Sequence, residues 1–329
     1  MVGGGLFEKE FKQVRSLFLL LLIFNSFAGP FAVWSQYSSH MEFVKNNPGY
    51  TPEPFVFQFG ADPLLFISSL FVFFIAINQM GTERAKGIMD FTLALPYTRS
   101  QIFFVKWILA FGIILFSTLI SLILSGSYIE WHNIAVSQPL FNYYFIYFSS
   151  LTMFYTLTLS AGALTGTPFA QGLTAISASV LPLLFTLVIT KNVQAFSNET
   201  YVEMEKWYDA GYLLTPAFQF FVGTIFFQDN PYEYRYYFLI PFGMAILFYL
   251  IGHFSFIKHP NERNGNFFLW NRLNLPVQMI VILLGVLGFS SIGYGSSGNF
   301  SGYIIGALIG AVISILLGYY LIYRKSKQS

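Results

Sequence analysis

Residues 81 to 100 mix charged and apolar side chains in a way that suits gripping another protein. Glu83, Arg84, Lys86, Asp90 and Arg99 are interleaved with Ile88, Met89, Phe91, Leu93 and Leu95. A segment that only joined two apolar stretches could be short and polar, whereas this mixture describes a short helix with a docking face. Pro96 cannot continue that helix, because it lacks the N–H and clashes with the preceding turn, and Thr98 or Ser100 can cap the next one. The chemistry on offer is ion pairing and apolar contact. Bond making has no obvious apparatus: the chain has no cysteine, which excludes thiolate catalysis, thiolate metal sites and disulfides. The histidines, His40, His132, His253 and His259, are too scattered for a metal site. His253 reads as a buried polar contact, with a proton relay as the lesser alternative. No Gly-x-x-x-x-Gly-Lys-Ser/Thr phosphate loop occurs, so the chain is not expected to bind and hydrolyse ATP itself, to hold a cofactor or to act as an enzyme.

Eight apolar stretches must position that segment: Leu17 to Trp34, Pro63 to Met80, Ile108 to Tyr128, Tyr143 to Ala163, Leu173 to Thr190, Tyr236 to Phe256, Val277 to Tyr294 and Tyr303 to Tyr323. Roughly 20 residues of helix cover the ~30 Å hydrocarbon layer. None of the stretches contains Asp, Glu, Lys or Arg, each of which would cost ~2.5 to 3.5 kcal/mol at a helix centre. The expected fold class is therefore an all-α polytopic membrane protein with about eight transmembrane helices. With the N-terminus cytoplasmic, the inner segments hold Lys9, Lys12, Arg15, Arg84, Lys86, Arg99, Lys106, Lys258, Arg263, Arg272, Arg324, Lys325 and Lys327, and the outer ones only Lys45, Lys191, Lys206 and Arg235. The positive-inside rule then expects both termini in the cytoplasm of a multi-pass cell-membrane protein.

Charged residues make up 10% of the chain and hydrophobic ones 55%, which leaves no room for a sizeable soluble domain, so residues 1–329 read as one transmembrane unit. A net charge of +2 gives no argument for nucleic acid. The aromatic share of 20% suits a lipid-facing surface with interfacial belts. The basic lead-in and first apolar stretch could pass for a signal peptide, but apolarity continues to Trp34. The carboxylates fall almost wholly in the connecting segments, whereas proton-driven transporters hold an ionisable group at mid-membrane.

Ahead of the first stretch, Phe7, Phe11, Val14 and Phe18 recur at helical spacing opposite Glu8, Lys9, Lys12, Gln13 and Arg15, so residues 1–16 are expected as an amphipathic helix on the inner leaflet. In the first outer segment Phe55 to Phe59 alternates as a short strand would, and Asp62 and Pro63 supply an N-cap and first-turn proline for the second span. Between spans five and six, residues 191–235 form an extracellular insertion. Within it Asn198 to Tyr208 reads as a helix, and Leu213 to Phe227, broken by Pro216 and Gly223, as a re-entrant or surface-lying segment rather than a span. Gly162 with Gly166, Ala170 with Thr174 and Ala178, and Gly302 with Gly306 and Gly310 mark faces where helix backbones approach closely.

The order Glu83-Arg84, Gly87, a short helix ending in Leu95-Pro96, Arg99 and Lys106, all between the second and third stretches, resembles the loop of ABC-2-type transporter permeases. The lead-in ending near Arg15 is similar to the connecting helix of that superfamily. The opening Gly5-Leu-Phe-Glu-Lys-Glu-Phe-Lys-Gln13 and the length look more narrowly like the paired permeases of Ytr-type operons in Gram-positive bacteria. The resemblance covers about residues 5 to 128. It implies a subunit that forms the membrane pathway and couples to a separate ABC ATPase subunit, alongside a second permease that is either another copy or a paralogue. It also implies that Glu83, Arg84, Gly87, Ile88, Phe91, Leu95, Pro96 and Arg99 make up the ATPase-coupling segment, braced by ion pairs of Glu83, Arg84 and Arg99. Phe7, Phe11, Val14 and Arg15 would belong to the connecting helix. A lipophilic or envelope-active compound is the expected cargo, handled in contact with membrane lipid. Uptake of a small metabolite, acetoin-like by the resemblance alone, is an alternative. From a different class comes a membrane sensor or scaffold that uses residues 191–235.

Overall fold

The computed structural model describes residues 4–48, 54–58, 63–137, 139–196, 201–219, 236–258 and 265–323. Each of the eight apolar stretches falls on a helix, because lipid leaves main-chain polar groups no partner except their own helix. The elements are α1 (Gly4–Asn46), β1 (Val56–Phe57), α2 (Pro63–Ile77), a π turn (Asn78–Thr82), α3 (Glu83–Ala85), α4 (Ile88–Ala94), α5 (Arg99–Trp131) and β2 (Ala135–Val136). They continue with α6 (Leu140–Leu164), α7 (Pro168–Phe196), α8 (Tyr201–Leu214), a 3-10 turn (Pro216–Phe218), α9 (Leu239–Lys258), α10 (Asn271–Ser297) and α11 (Phe300–Tyr323). The chain is an all-α polytopic membrane protein.

Among the described residues, seven helices are long and apolar enough to cross a membrane, and α6 is the stretch left out. Its 25 residues have the length, but Ser149, Ser150, Thr152, Thr156, Thr158 and Ser160 dilute its apolarity. Those hydroxyls are tolerated because nearly every side chain from Tyr144 to Ala163 is buried by neighbouring helices, where polar groups find partners away from lipid. α6 packs against α2, α5, α7 and α9, and α1 lies against α2 and α5.

Two differences from the sequence reading concern α1 and the 191–235 insertion. The lead-in is not a separate element: α1 runs unbroken for 43 residues from Gly4. Its inward stripe is Leu6, Glu10, Val14, Phe18 and Leu21, while Phe7 and Phe11 are exposed, so the inward face is rotated by about one residue from the expected one. In the insertion the helix runs Tyr201–Leu214 rather than Asn198 to Tyr208. Pro216 opens the 3-10 turn, and the remainder of Leu213 to Phe227 beyond residue 219 lies outside the described residues, as does Asp62.

A polar staple fixes the middle of the bundle. Asn25 of α1 donates through Nδ2 to Ser117 Oγ at 2.7 Å and Thr118 Oγ1 at 3.3 Å on α5. Its Oδ1 accepts from Tyr147 of α6 at 2.7 Å and Ser68 of α2 at 3.1 Å. All four hydrogen-bonding positions of the amide are thus used, which is what makes a buried Asn acceptable. At one end of the bundle β1 pairs in parallel with β2, over the small cluster of Val33, Phe57, Ile129 and Ile134.

α10 and α11 pack on each other more closely than on anything else, and the pair meets the body largely through α7. A Cβ at Gly293, Gly306 or Gly310 would overlap main-chain oxygen of Gly302, Phe289 or Gly285 respectively. The expected small-residue face of Gly302, Gly306 and Gly310 therefore closes an intramolecular hairpin.

Candidate functional site

The opposite end of the bundle gathers the start of α1, the π turn, α3 and α4, the starts of α5 and α7, and the ends of α6 and α9. α4 is positioned by local rules. Gly87 enters it at φ 70°, a left-handed conformation that costs other residues about 1 to 2 kcal/mol. The helix ends at Ala94, with Leu95 as its extended cap and Pro96 next. Thr98 then starts α5 through a capping box with Gln101, satisfying donors that the first turn cannot.

Four charges close a ring beneath α4. Lys9 Nζ contacts Glu10 Oε1 at 2.9 Å and also Glu83 Oε1. Lys106 Nζ contacts Glu10 Oε2 at 2.7 Å and also Glu83 Oε2. The side chains of Glu10, Glu83 and Lys106 are fully buried, and that of Lys9 is 23% exposed. Each carboxylate oxygen faces an ammonium, and the two positive charges balance the two negative ones. That pairing is what allows ions to survive burial, since an unpartnered one would cost several kcal/mol. α4 is tied into the ring by Thr92, whose hydroxyl accepts from Lys9 Nζ at 2.6 Å and donates to Glu83 Oε1 at 2.7 Å. α1, α3, α4 and α5 thus share one electrostatic knot.

Arg84 turns the other way. Its Nη1 donates to the carbonyls of Gly162, at 2.8 Å, and of Thr165, so it caps the C-terminal end of α6, where carbonyls lack helical partners. The turn it caps is stitched to the segment before α10, with Gly166 N–H donating to Phe267 O at 3.1 Å and Leu269 N–H to Leu164 O at 2.9 Å. Arg99 donates to the carbonyl of Ile257 at the end of α9. Next to it, Ser100 Oγ lies 2.8 Å from His253 Nε2, so His253 makes the polar contact expected of it. Of the three residues expected to brace the segment by ion pairs, Glu83 does so and Arg84 instead reaches main-chain oxygen of α6, while the bond from Arg99 ties the start of α5 to the end of α9.

Under the ring, the side chain of Tyr155 in α6 sits within 2.6 Å of Gln79 Oε1 and 2.9 Å of the Lys106 carbonyl. Gln79 belongs to the π turn. Ile88 and Leu95 are half-buried and Phe91 is 65% exposed. In α1, Val14 is buried and Arg15 exposed, so the four residues expected of the connecting helix are split between inward and outward faces.

Among similar proteins, the one named Probable ABC transporter permease YtrC of Bacillus subtilis (strain 168) is 38% identical over 335 residues, covering 99% of this chain and 100% of its own length. The one named Probable ABC transporter permease YtrD, of the same strain, is 34% identical over 334 residues, covering 99% of both chains. The chain belongs to the ABC transporter permeases. No family model matches it, and no solved structure does.

In this ABC transporter permease the residues that sequence reasoning did not assign to the site are Lys9, Glu10, Thr92 and Tyr155, while Gln79, read from sequence as a hydrogen-bonding residue closing the second span, makes such bonds here. One signal for Glu10 was available. It stands four residues from both Leu6 and Val14, inside a stripe that is otherwise apolar, and a lone carboxylate there needs a buried cation. Lys106, seven residues into α5, is the cation that the same reasoning would seek on another helix.

Proposed function

We propose that this permease forms the membrane pathway of an ATP-driven transporter, and that α4 with its flanks, residues 81–100, is the coupling segment seated in a separate ATP-hydrolysing subunit. The reading rests above all on Thr92. One face of α4 is held through Thr92 to an ion ring that joins two long helices, while Phe91 on another face is 65% exposed and Asp90 is exposed beside it. A helix with an apolar side chain outside and an ionic anchor inside is suited to receive a push and pass it to α1 and α5. ATP hydrolysis is then the work of the partner, and this chain is not an enzyme.

A second permease completes the pathway. Two full-length relatives in one bacterium favour a paralogue as that second subunit, with another copy of this chain as the alternative. Both termini lie in the cytoplasm of the cell that the membrane encloses. A lipophilic or envelope-active compound is the cargo class we assign, in keeping with the Phe, Tyr, Ser and Thr side chains that α2, α6 and α7 carry.

The test is co-purification of the ATPase subunit with a tagged chain. Phe91→Ala and Arg99→Ala should each reduce ATPase recovery several-fold while the permease inserts at normal levels. Undiminished recovery with both variants would overturn the coupling assignment.

A further inference from the structure

The π turn between α2 and α3 is braced by a residue from a distant helix. Gln171 of α7, fully buried, accepts from the Gly81 N–H through Oε1 at 2.9 Å and donates from Nε2 to the Ala76 carbonyl at 3.0 Å. Gly81 and Ala76 are five residues apart, the separation that a π-helical hydrogen bond closes. The Gln171 amide therefore bridges the two ends of the widened turn. Its Nε2 also donates to the Thr158 carbonyl of α6 at 3.0 Å. The space it occupies exists because two neighbours lack side chains. A Cβ on Gly81 would come within 2.6 Å of Gln171 Oε1 and 2.7 Å of Pro168 Cα, and one on Gly162 within 2.7 Å of both Gln171 Nε2 and Met80 Cβ.

A π turn holds one residue more than an α turn. Relaxing it to α geometry turns everything beyond it by about 100° and moves it by ~1.5 Å along the axis. The residues just beyond it are Glu83, which closes the ion ring, and Arg84, which caps α6. We propose that Gln171 is a positioning residue for the coupling segment, and that the turn it bridges is a one-residue register switch between α2 and α4. With Gln171 inserted, Glu83 and Arg84 face their present partners. When α7 shifts and withdraws the amide, the turn relaxes and both residues leave them. This inference rests on the permease reading above, since it names the device by which motion of α4 reaches α2, α6 and α7.

The experiment uses the complex of this chain with its ATPase and second permease in lipid vesicles. Because the chain has no cysteine of its own, spin labels at Asp90→Cys and Glu130→Cys, both exposed, report the distance from α4 to the far end of α5 with and without a non-hydrolysable ATP analogue. The parent complex should show a nucleotide-dependent change in that distance. Gln171→Met, and separately deletion of Asn78 to leave a plain α turn, should each abolish the change while the ATPase subunit stays bound in normal amount. A Gln171→Met complex that keeps the change would show that Gln171 is a packing residue only, and would overturn the proposal. So would a deletion variant that fails to insert, because an α turn would then be inaccessible here.

Thermal unfolding of the permease alone separates this from the reading it rests on. Gln171→Met should lower the midpoint in the parent chain and have little further effect once Asn78 is deleted. Equal losses in the two backgrounds would overturn the switch, whereas failure of the parent chain to bind any ATPase would overturn the coupling assignment and leave this thermal cycle to decide the switch.

Discussion

Lys106 Nζ of α5 lies 2.7 Å from Glu10 Oε2 of α1, and neither side chain is reached by solvent. Removing one member of such a buried ring strands the others. Lys106→Met leaves Glu10 and Glu83 to share Lys9, and should lower stability by about 3 to 5 kcal/mol. Adding Glu83→Gln restores charge balance, with Lys9 serving Glu10, and should return part of the loss. Thermal unfolding of the detergent-solubilised protein, followed by tryptophan fluorescence, checks both; a double variant no more stable than Lys106→Met would contradict the ring.

Asn25→Leu removes all four hydrogen bonds that tie α1 to α2, α5 and α6 at mid-bundle. At an average of roughly 0.6 kcal/mol for a hydrogen bond between membrane helices, the variant should lose on the order of 2 kcal/mol. Its mixed-micelle denaturation midpoint is the measurement. A midpoint equal to that of the parent would mean that the staple adds nothing beyond packing.

The membrane-crossing framework was legible because it is written locally. An apolar run of sufficient length, a proline after Leu95 and a threonine before Arg99 each act within a few residues, and each stands where the sequence placed it. The ion ring was not, because its partners come from α1, α3 and α5, and the periodicity in the lead-in was phased on Phe7 and Phe11 rather than on Leu6 and Glu10. Asn25 and Gln171 were hidden for a related reason. A single amide within an apolar helix looks incidental until the carbonyls and hydroxyls that face it, on other helices, are known. α6 posed the inverse difficulty, since its Ser and Thr lower its apolarity just where the surrounding helices bury it.

The α10–α11 hairpin depends on bare backbone at its crossing points. Gly306→Leu would drive a side chain into the Phe289 carbonyl and to within 3.1 Å of Ser290 Cα before any repacking, and should pry the pair apart. The body should hold, so the expected result is a lower first unfolding transition with ATPase binding retained. Loss of ATPase binding in a well-inserted variant would mean that the hairpin supports the coupling end directly.

Orientation is open to a clean labelling test, because no native cysteine interferes. In intact cells Glu205→Cys should react with a membrane-impermeant thiol reagent, and Ile88→Cys should react only after the membrane is opened. Equal reaction at both positions would overturn the proposed sidedness.

α7 carries Gln171 near its start and Asn192 near its end. Asn192 donates to the Leu287 carbonyl of α10 at 3.0 Å and accepts from the Tyr303 hydroxyl of α11 at 2.9 Å. At ~1.5 Å per residue, roughly 32 Å of helix separates the two amides. One helix therefore carries a polar grip near each end, the first on the π turn and the second on the terminal hairpin. On the proposed coupling, displacing α7 at the terminal hairpin also displaces the amide that bridges the π turn.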